Sequence, residues 1–313
     1  MILVRLSKMC ICLFMLFCSV TFAAEKEVEP LEQTGFLPAE ASNANWVFSG
    51  LVANEGGDHY AYYFEMQRHG NDFHVKAALF DEQTKAMLLM DEGDATISDP
   101  ERNNWHVAHS FLRFNAINDS WIFGFKTQDK KGFNFKVDML NQPEHNPATQ
   151  GLRAGVDVVV SQTGQLNGHI QVDGENHEQF VSANSAWFRQ IWLSNPEGQS
   201  HKLSAVLCRF DDGSGFYSMN MLEPDAVRGA VAGWFNEQGE AGAMSQFINV
   251  KEGVEGAWHI HVTSPKLDLT LLDEFKQPSV AAGFVSEKDK QGFCVLNKLD
   301  LVPIMVQSST TPS

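Results

Sequence analysis

From Trp46 onward, the apolar residues of this chain recur mostly at every second position. Trp46, Phe48 and Gly50 alternate with Val47 and Ser49, and Tyr60, Tyr62, Phe64 and Met66 alternate with Ala61, Tyr63, Glu65 and Gln67. Phe133, Phe135, Val137 and Met139 do the same against Asn134, Lys136 and Asp138. A period of two sends successive side chains to opposite faces of a β-strand, so each run predicts an apolar row on one face and polar groups on the other. Turn chemistry separates the runs. Glu55-Gly56-Gly57-Asp58, Arg68-His69-Gly70-Asn71, Asn118-Asp119-Ser120 and Asp129-Lys130-Lys131-Gly132 leave only a few residues between strands. Connections that short make antiparallel hairpins, because a parallel crossover needs about a dozen residues. No stretch between Trp46 and Leu140 carries a helical stripe. A meander of about eight to ten strands closing into a barrel is the economical outcome, since closure removes exposed edges.

Pro143, Pro147, Gly151 and Gly155 then interrupt the pattern and mark a linker, after which it restarts. Leu166, Gly168, Ile170 and Val172 alternate with Asn167, His169, Gln171 and Asp173, and Trp258, Ile260 and Val262 alternate with His259, His261 and Thr263. The hairpin at Trp121–Phe125 has a faint echo at Trp258–Val262, which agrees with two similar halves. The chain accordingly divides into 1–24, a secretory segment; 25–44, an extended leader; 45–142, a first barrel; 143–155, the linker; 156–306, a second barrel; and 307–313, a disordered tail. The expected class is all-β, with two tandem antiparallel barrels.

The secretory reading rests on Arg5 and Lys8, the apolar run from Met9 to Phe17, and small residues at Ala23 and Ala24 where a signal peptidase would cut. It predicts an exported protein, periplasmic or secreted. No later apolar run has the length of a bilayer span, so no integral membrane association is expected. The formal net charge of −16 repels phosphate backbones and anionic lipid, which disfavours nucleic acid as a partner. Of the five cysteines, Cys208 and Cys294 lie outside the secretory segment. They either pair or remain two buried thiols, because spacing alone does not supply the geometry of a bridge.

Candidate chemistry is sparse. Trp46, Phe48, Tyr60, Tyr62, Phe64, Trp121, Phe123 and Phe125 fall on inward rows, where they either line an apolar cavity or form an ordinary aromatic core. His259 and His261 share a strand face but lack an evident third ligand, and that face opposes the apolar row, so no metal is expected. Asp81-Glu82, Asp91-Glu92 and Asp211-Asp212 fall in turns, where carboxylates are solvated. There is no nucleophile elbow, nucleotide-binding glycine loop or Cys/His cluster, and no cofactor is expected.

Asn45-Trp46-Val47-Phe48-Ser49-Gly50 resembles the opening Trp-Trp-Tyr-Phe-x-Gly of the AttH and carotenoid 1,2-hydratase (hydroxyneurosporene synthase) family. Tyr60–Arg68 resembles its second strand, and Gly164-Gln165-Leu166 with Val172-Asp173-Gly174 its Gly-Thr-Leu-x-x-Asp-Gly hairpin. Ser185-Ala186-Trp187-Phe188 and Phe210-Asp211-Asp212-Gly213 resemble two further motifs, and the order runs across nearly the whole chain beyond the leader. The resemblance implies two lipocalin-like domains, a divergent member, and an apolar substrate class. It also locates substitutions. Arg189 stands where the family motif Ala-Trp-Met-Asp-x-x-Trp has its acid, Lys76 where a histidine is usual, and Leu203-Ser204-Ala205-Val206 where Trp-Asp-Trp-Phe is usual, whereas Trp187 and Trp192 are kept. Hydration of an alkene needs a proton donor, and arginine stays protonated. The expected function is therefore binding of an apolar or amphipathic small molecule without catalysis. Its ligand-binding residues would be Trp46, Phe48, Tyr62, Phe64, Lys76, Trp121, Phe123, Trp187, Arg189 and Trp192. The alternatives are a hydratase or isomerase using a relocated acid, Glu65 or Asp157, and a packed scaffold for another protein.

Overall fold

Alternation becomes strand along most of the described residues. A computed structural model describes residues 41–139, 150–152, 155–172, 178–193, 200–223, 226–246, 248–287 and 290–302. The secretory segment, most of the leader, most of the linker and the tail lie outside the described residues. Among those described, thirteen strands form a first antiparallel sheet and nine form a second.

The first sheet begins with the meander β1 (Asn43–Asn54), β2 (His59–His69), β3 (Asp72–Asp81) and β4 (Met87–Thr96). It continues through β5 (Asn104–Val107), β6 (Ser110–Asn115), β7 (Ser120–Lys126) and β8 (Gly132–Asp138). β9 (Gln150–Leu152), β10 (Val156–Gln162), β11 (Leu166–Gln171), β12 (Gln179–Ala183) and β13 (Trp187–Leu193) join the same sheet. The spatial order β4-β3-β2-β1-β12-β11-β8-β7-β6-β5 curls into a nearly closed barrel. β1 forks. Ala44–Ser49 pairs with β13, whereas Ala53 and Asn54 pair with β12. Beyond the fork, β13 leads to β10 and β9 as a wing outside the barrel path.

The second sheet holds β14 (His201–Phe210), β15 (Gly215–Glu223), β16 (Ala226–Phe235), β17 (Ala241–Gly242) and β18 (Asn249–Glu252). It also holds β19 (Ala257–Val262), β20 (Leu267–Leu272), β21 (Val280–Glu287) and β22 (Lys290–Leu301). Its order is β17-β16-β15-β14-β22-β21-β20-β19-β18, a half-barrel. The sequence pattern divides the halves at 143–155, and the chain passes from the first sheet to the second between β13 and β14. The reason is register: β11 pairs with β8, and β12 and β13 pair with β1, so residues 166–193 complete the first sheet.

Three apolar clusters result. Trp46, Phe48, Tyr62, Phe64, Trp121, Phe123, Phe133 and Phe135 fill the first barrel. Val206, Cys208, Phe210, Ile260, Val262, Leu267 and Leu269 fill the half-barrel. The third cluster lies between the sheets, where Val47, Ala61, Tyr63, Phe80, Trp187 and Ile191 meet Leu203, Leu207, Tyr217, Met219, Phe293 and Val295. The outer face of β1 and β2, expected to be polar, is therefore buried, because the second sheet covers it. A Cβ at Gly215 would stand 3.1 Å from the Trp187 ring, whose Nε1 donates to the Cys208 carbonyl at 2.9 Å. That close approach bolts the two sheets together.

Cys208 and Cys294 are direct cross-strand partners on β14 and β22, fully buried, with Cα atoms 4.2 Å apart, and they form a disulfide. It closes a loop spanning 86 residues. Replacing Cys208 with Ser is expected to cost about 2–4 kcal/mol. Urea denaturation with and without reductant checks this, since the wild type should fall to the variant's midpoint when reduced.

Candidate functional site

The sequence-derived ligand set separates onto two faces. Trp46, Phe48, Tyr62, Phe64, Trp121, Phe123 and Trp192 point into the first barrel, whereas Trp187, Lys76 and Arg189 belong to the face toward the second sheet. The inward aromatics pack on one another. Phe48 stacks on Phe123 with centroids 4.2 Å apart, Trp46 lies 4.7 Å from Trp105, and Tyr62 meets Phe135 edge-on at 5.0 Å. Rings this large fill a small barrel. The picture of an open aromatic cavity is corrected to that of an aromatic core. Polar atoms of this interior remain without a partner among the described residues: the indole nitrogens of Trp46 and Trp121, the Tyr62 hydroxyl and both amide atoms of Gln190.

The face between the sheets holds the charged groups. Register places Lys76 beside Glu65 on β3 and β2, Glu65 beside Val47, and Val47 beside Arg189, in one row across the sheet. Glu65 is 3% exposed and Arg189 is fully buried. Asn45 Nδ2 donates to Glu65 Oε1 at 2.6 Å, and the Tyr63 hydroxyl donates to Oε2 at 2.6 Å. Asn297, the contribution of β22, donates to Tyr63 Oη at 2.8 Å and more weakly to Glu65 Oε1 at 3.5 Å. Arg189 donates to Asn297 Oδ1 at 3.1 Å and to Asn45 Oδ1 at 2.9 Å. Lys76 Nζ donates to Ser279 Oγ at 2.7 Å, so it reaches the second sheet by its own bond rather than sharing a partner with Arg189.

Burial pulls the Arg189 guanidinium down from its ordinary value, with Glu65 and Tyr63 pushing back. Burial also raises the Tyr63 phenol far above its usual value, reinforced by the Glu65 carboxylate. Sequence reasoning named Glu65 and Arg189 separately. It missed Tyr63, Asn45 and Asn297, which are unremarkable polar residues until the second sheet covers them. Asp157, the other proposed acid, is half-buried on β10 and takes no part in this network. His259 and His261 are exposed, with His261 paired to Asp268. No group of three metal-binding side chains occurs among the described residues.

Open space lies at the seam. A cleft of about 800 Å³ occupies the fork of β1, lined by Leu51, Val52, Ala53, Gln162, Thr163, residues 182–185, and the turns 209–213 and 237–239. Thr163 shapes the corner, its amide donating to the Ala186 carbonyl and its hydroxyl oxygen accepting from the Ala186 amide. At the rim, His59 pairs with Glu82 at 3.2 Å. Burial raises the carboxyl groups of Glu82 and Asp211, each with further charges acting on it. A smaller cleft of about 520 Å³ is lined by Gln67, His69, Phe73, His74 and Asp94.

The same architecture occurs elsewhere. A protein assigned to AttH from Nitrosomonas europaea superposes with a TM-score of 0.58 at 13% identity, covering 82% of this chain and 92% of that one. Kievitone hydratase from Nectria haematococca superposes with a TM-score of 0.56 at 11% identity, covering 82% and 89%. This chain has the AttH-like fold. At such identities the likeness is one of fold, two lipocalin-like halves. No family model and no curated protein sequence matches the chain.

Arg189→Met would leave Glu65 buried beside amides that have lost an acceptor role, at an expected cost of about 3–5 kcal/mol. Adding Glu65→Leu should recover part of that loss, and a double-mutant cycle in urea reads the coupling.

A pH effect follows from Tyr62 and Tyr63. Burial raises both phenols above the ordinary value of 10.0, with Arg209 opposing at Tyr62 and Glu65 reinforcing at Tyr63. Above pH about 10 the unfolded chain releases phenolic protons that the folded chain retains. Stability should be flat below that pH and decline as pH rises through it. Urea midpoints measured across the alkaline range check the sign.

Proposed function

We propose that this chain is an exported, non-catalytic binding protein for an amphipathic small molecule, held in the seam cleft. The observation that carries this reading is the cleft itself, which combines about 800 Å³ with apolar Leu51, Ala53 and Ala183 and polar Gln162, Thr163, Ser185 and Arg209. Ligand sites are concave and of this size, and the mixed apolar and polar lining of this one suits an amphipathic occupant. The fold-level likeness to a hydratase is an analogy and assigns no reaction.

Absence of catalysis is supported by how Glu65 is held. Both carboxylate oxygens accept short hydrogen bonds, from Asn45 and from Tyr63, and Arg189 lies beside them. With both oxygens engaged by protein donors, this carboxylate is committed to the network that holds it. None of the residues lining either cleft belongs to this network, so a substrate seated there would not meet Glu65. The export proposal rests on the basic and apolar pattern of residues 1–24.

Native mass spectrometry of the full-length expressed protein, gently purified, tests both parts. The expected spectrum shows a chain shortened by the secretory segment and carrying a dissociable small molecule. Ala53→Trp, which places a ring in the cleft, should abolish the adduct while leaving the circular dichroism spectrum unchanged. A wild type that is always empty, or an adduct that survives Ala53→Trp, would sink the binding site.

A further inference from the structure

Beneath the seam cleft are more hydrogen-bond donors than the protein satisfies. Arg209, at the end of β14, is largely withdrawn from water. Its Nη2 donates to Ser185 Oγ at 2.6 Å, while its Nη1 has no partner among the described residues. Gln162, at the end of β10 and 7% exposed, lines the same cleft, and its Nε2 is likewise without an acceptor. The Tyr62 hydroxyl, in the barrel below, feels the Arg209 charge and is also unpartnered. Buried donors left unmade are costly, and their clustering under one cleft calls for an acceptor-rich partner.

We propose that Arg209, with Gln162 beside it, binds the carboxylate of the amphipathic molecule that occupies the seam cleft. This rests on the binding function given above and adds the chemistry of the head group. A guanidinium offers a fork of donors matched to a carboxylate. The rim selects against a second negative charge. Asp211, Asp212 and Glu237 are exposed around the cleft; Asp212 pairs with Lys290, and Asp211 and Glu237 form no ion pair among the described residues. A doubly charged phosphate would be repelled where a singly charged carboxylate is tolerated. The partly exposed Leu51, Ala53 and Ala183 supply the wall for an apolar body.

The donors are closed to water beneath the turn joining β16 to β17. A Cβ on Gly239 would come within 3.7 Å of Gln162 Oε1, and one on Gly213 within 3.4 Å of the Glu237 carbonyl. For a carboxylate to reach Arg209 Nη1 and Gln162 Nε2, the turn 237–239 has to give way outward.

Calorimetric titration of the purified full chain with decanoate, decanol and decyl phosphate tests this. Decanoate should bind saturably and at least about tenfold more tightly than decanol, and more tightly than decyl phosphate. Arg209→Gln should reduce the preference for decanoate over decanol to within about twofold, and Arg209→Lys should keep part of it. If Arg209→Gln does not fold, Gln162→Leu serves in its place, lowering the decanoate-over-decanol preference about threefold or more. Equal binding of decanoate and decanol would overturn the carboxylate anchor while leaving amphiphile binding intact. Tighter binding of decyl phosphate, or a preference that survives Arg209→Gln, would also overturn it. No binding of any of the three would overturn the anchor and the cleft together.

Discussion

The structure depends on β1 and β2 being buried on both faces. One face of these strands supplies Trp46, Phe48, Tyr62 and Phe64 to the first barrel, and the other presents Val47, Ala61, Tyr63 and Glu65 to the second sheet. A strand in that position cannot discard its polar residues into water. Asn45, Glu65 and Arg189 must therefore satisfy one another across the interface, with Asn297 closing the set from the second sheet. Buried charge of this kind adds little net stability compared with an apolar replacement, but breaking it is costly. We read it as a device fixing where the two halves dock, since the bonds of Asn297 to Arg189, Tyr63 and Glu65 form only at one relative placement.

The same two-sided burial explains why the open space lies at the seam. Once aromatic rings fill the first barrel, and apolar side chains and the polar row fill the interface, little unfilled volume is left along β1. The strand must still change partner from β13 to β12, and at that fork neither neighbour covers the gap. Thr163 ties the corner at Ala186, and the turns of the second sheet approach from the other side. The cleft is thus a consequence of topology, and Arg209 reaches it because β14 ends there.

Period-two alternation was enough to read the strands, the hairpins and the all-β class, because each depends on local geometry. The sheet boundary was not legible. Leu166 and Val181 look like the start of a second barrel until their register against β8 and β1 is known, and register is a long-range property. The inward row of Trp46, Phe48, Tyr62 and Phe64 was legible for the same reason as the strands. Whether it enclosed space was not, since that depends on how rings from different strands interlock. Arg189 and Lys76 stood out through the family resemblance, and both indeed face the second sheet. Arg209 and Gln162 carried no comparable signal, for an arginine before a hairpin turn and a glutamine at a strand end are ordinary in sequence.

Placing the two polar groups side by side separates their roles. Around Glu65, donors and acceptors are nearly balanced: two short bonds reach the carboxylate, and Arg189 has acceptors for two of its nitrogens, only its Nε lacking one. A set so nearly closed has little left to offer a substrate. Around Arg209 the balance is broken: Ser185 Oγ accepts from Nη2, while Nη1 and the Gln162 Nε2 have no acceptor among the described residues. Chemistry follows the imbalance. The inner network holds the halves in place, while the outer one, at the end of an otherwise satisfied fold, is where an external group can change the energy most.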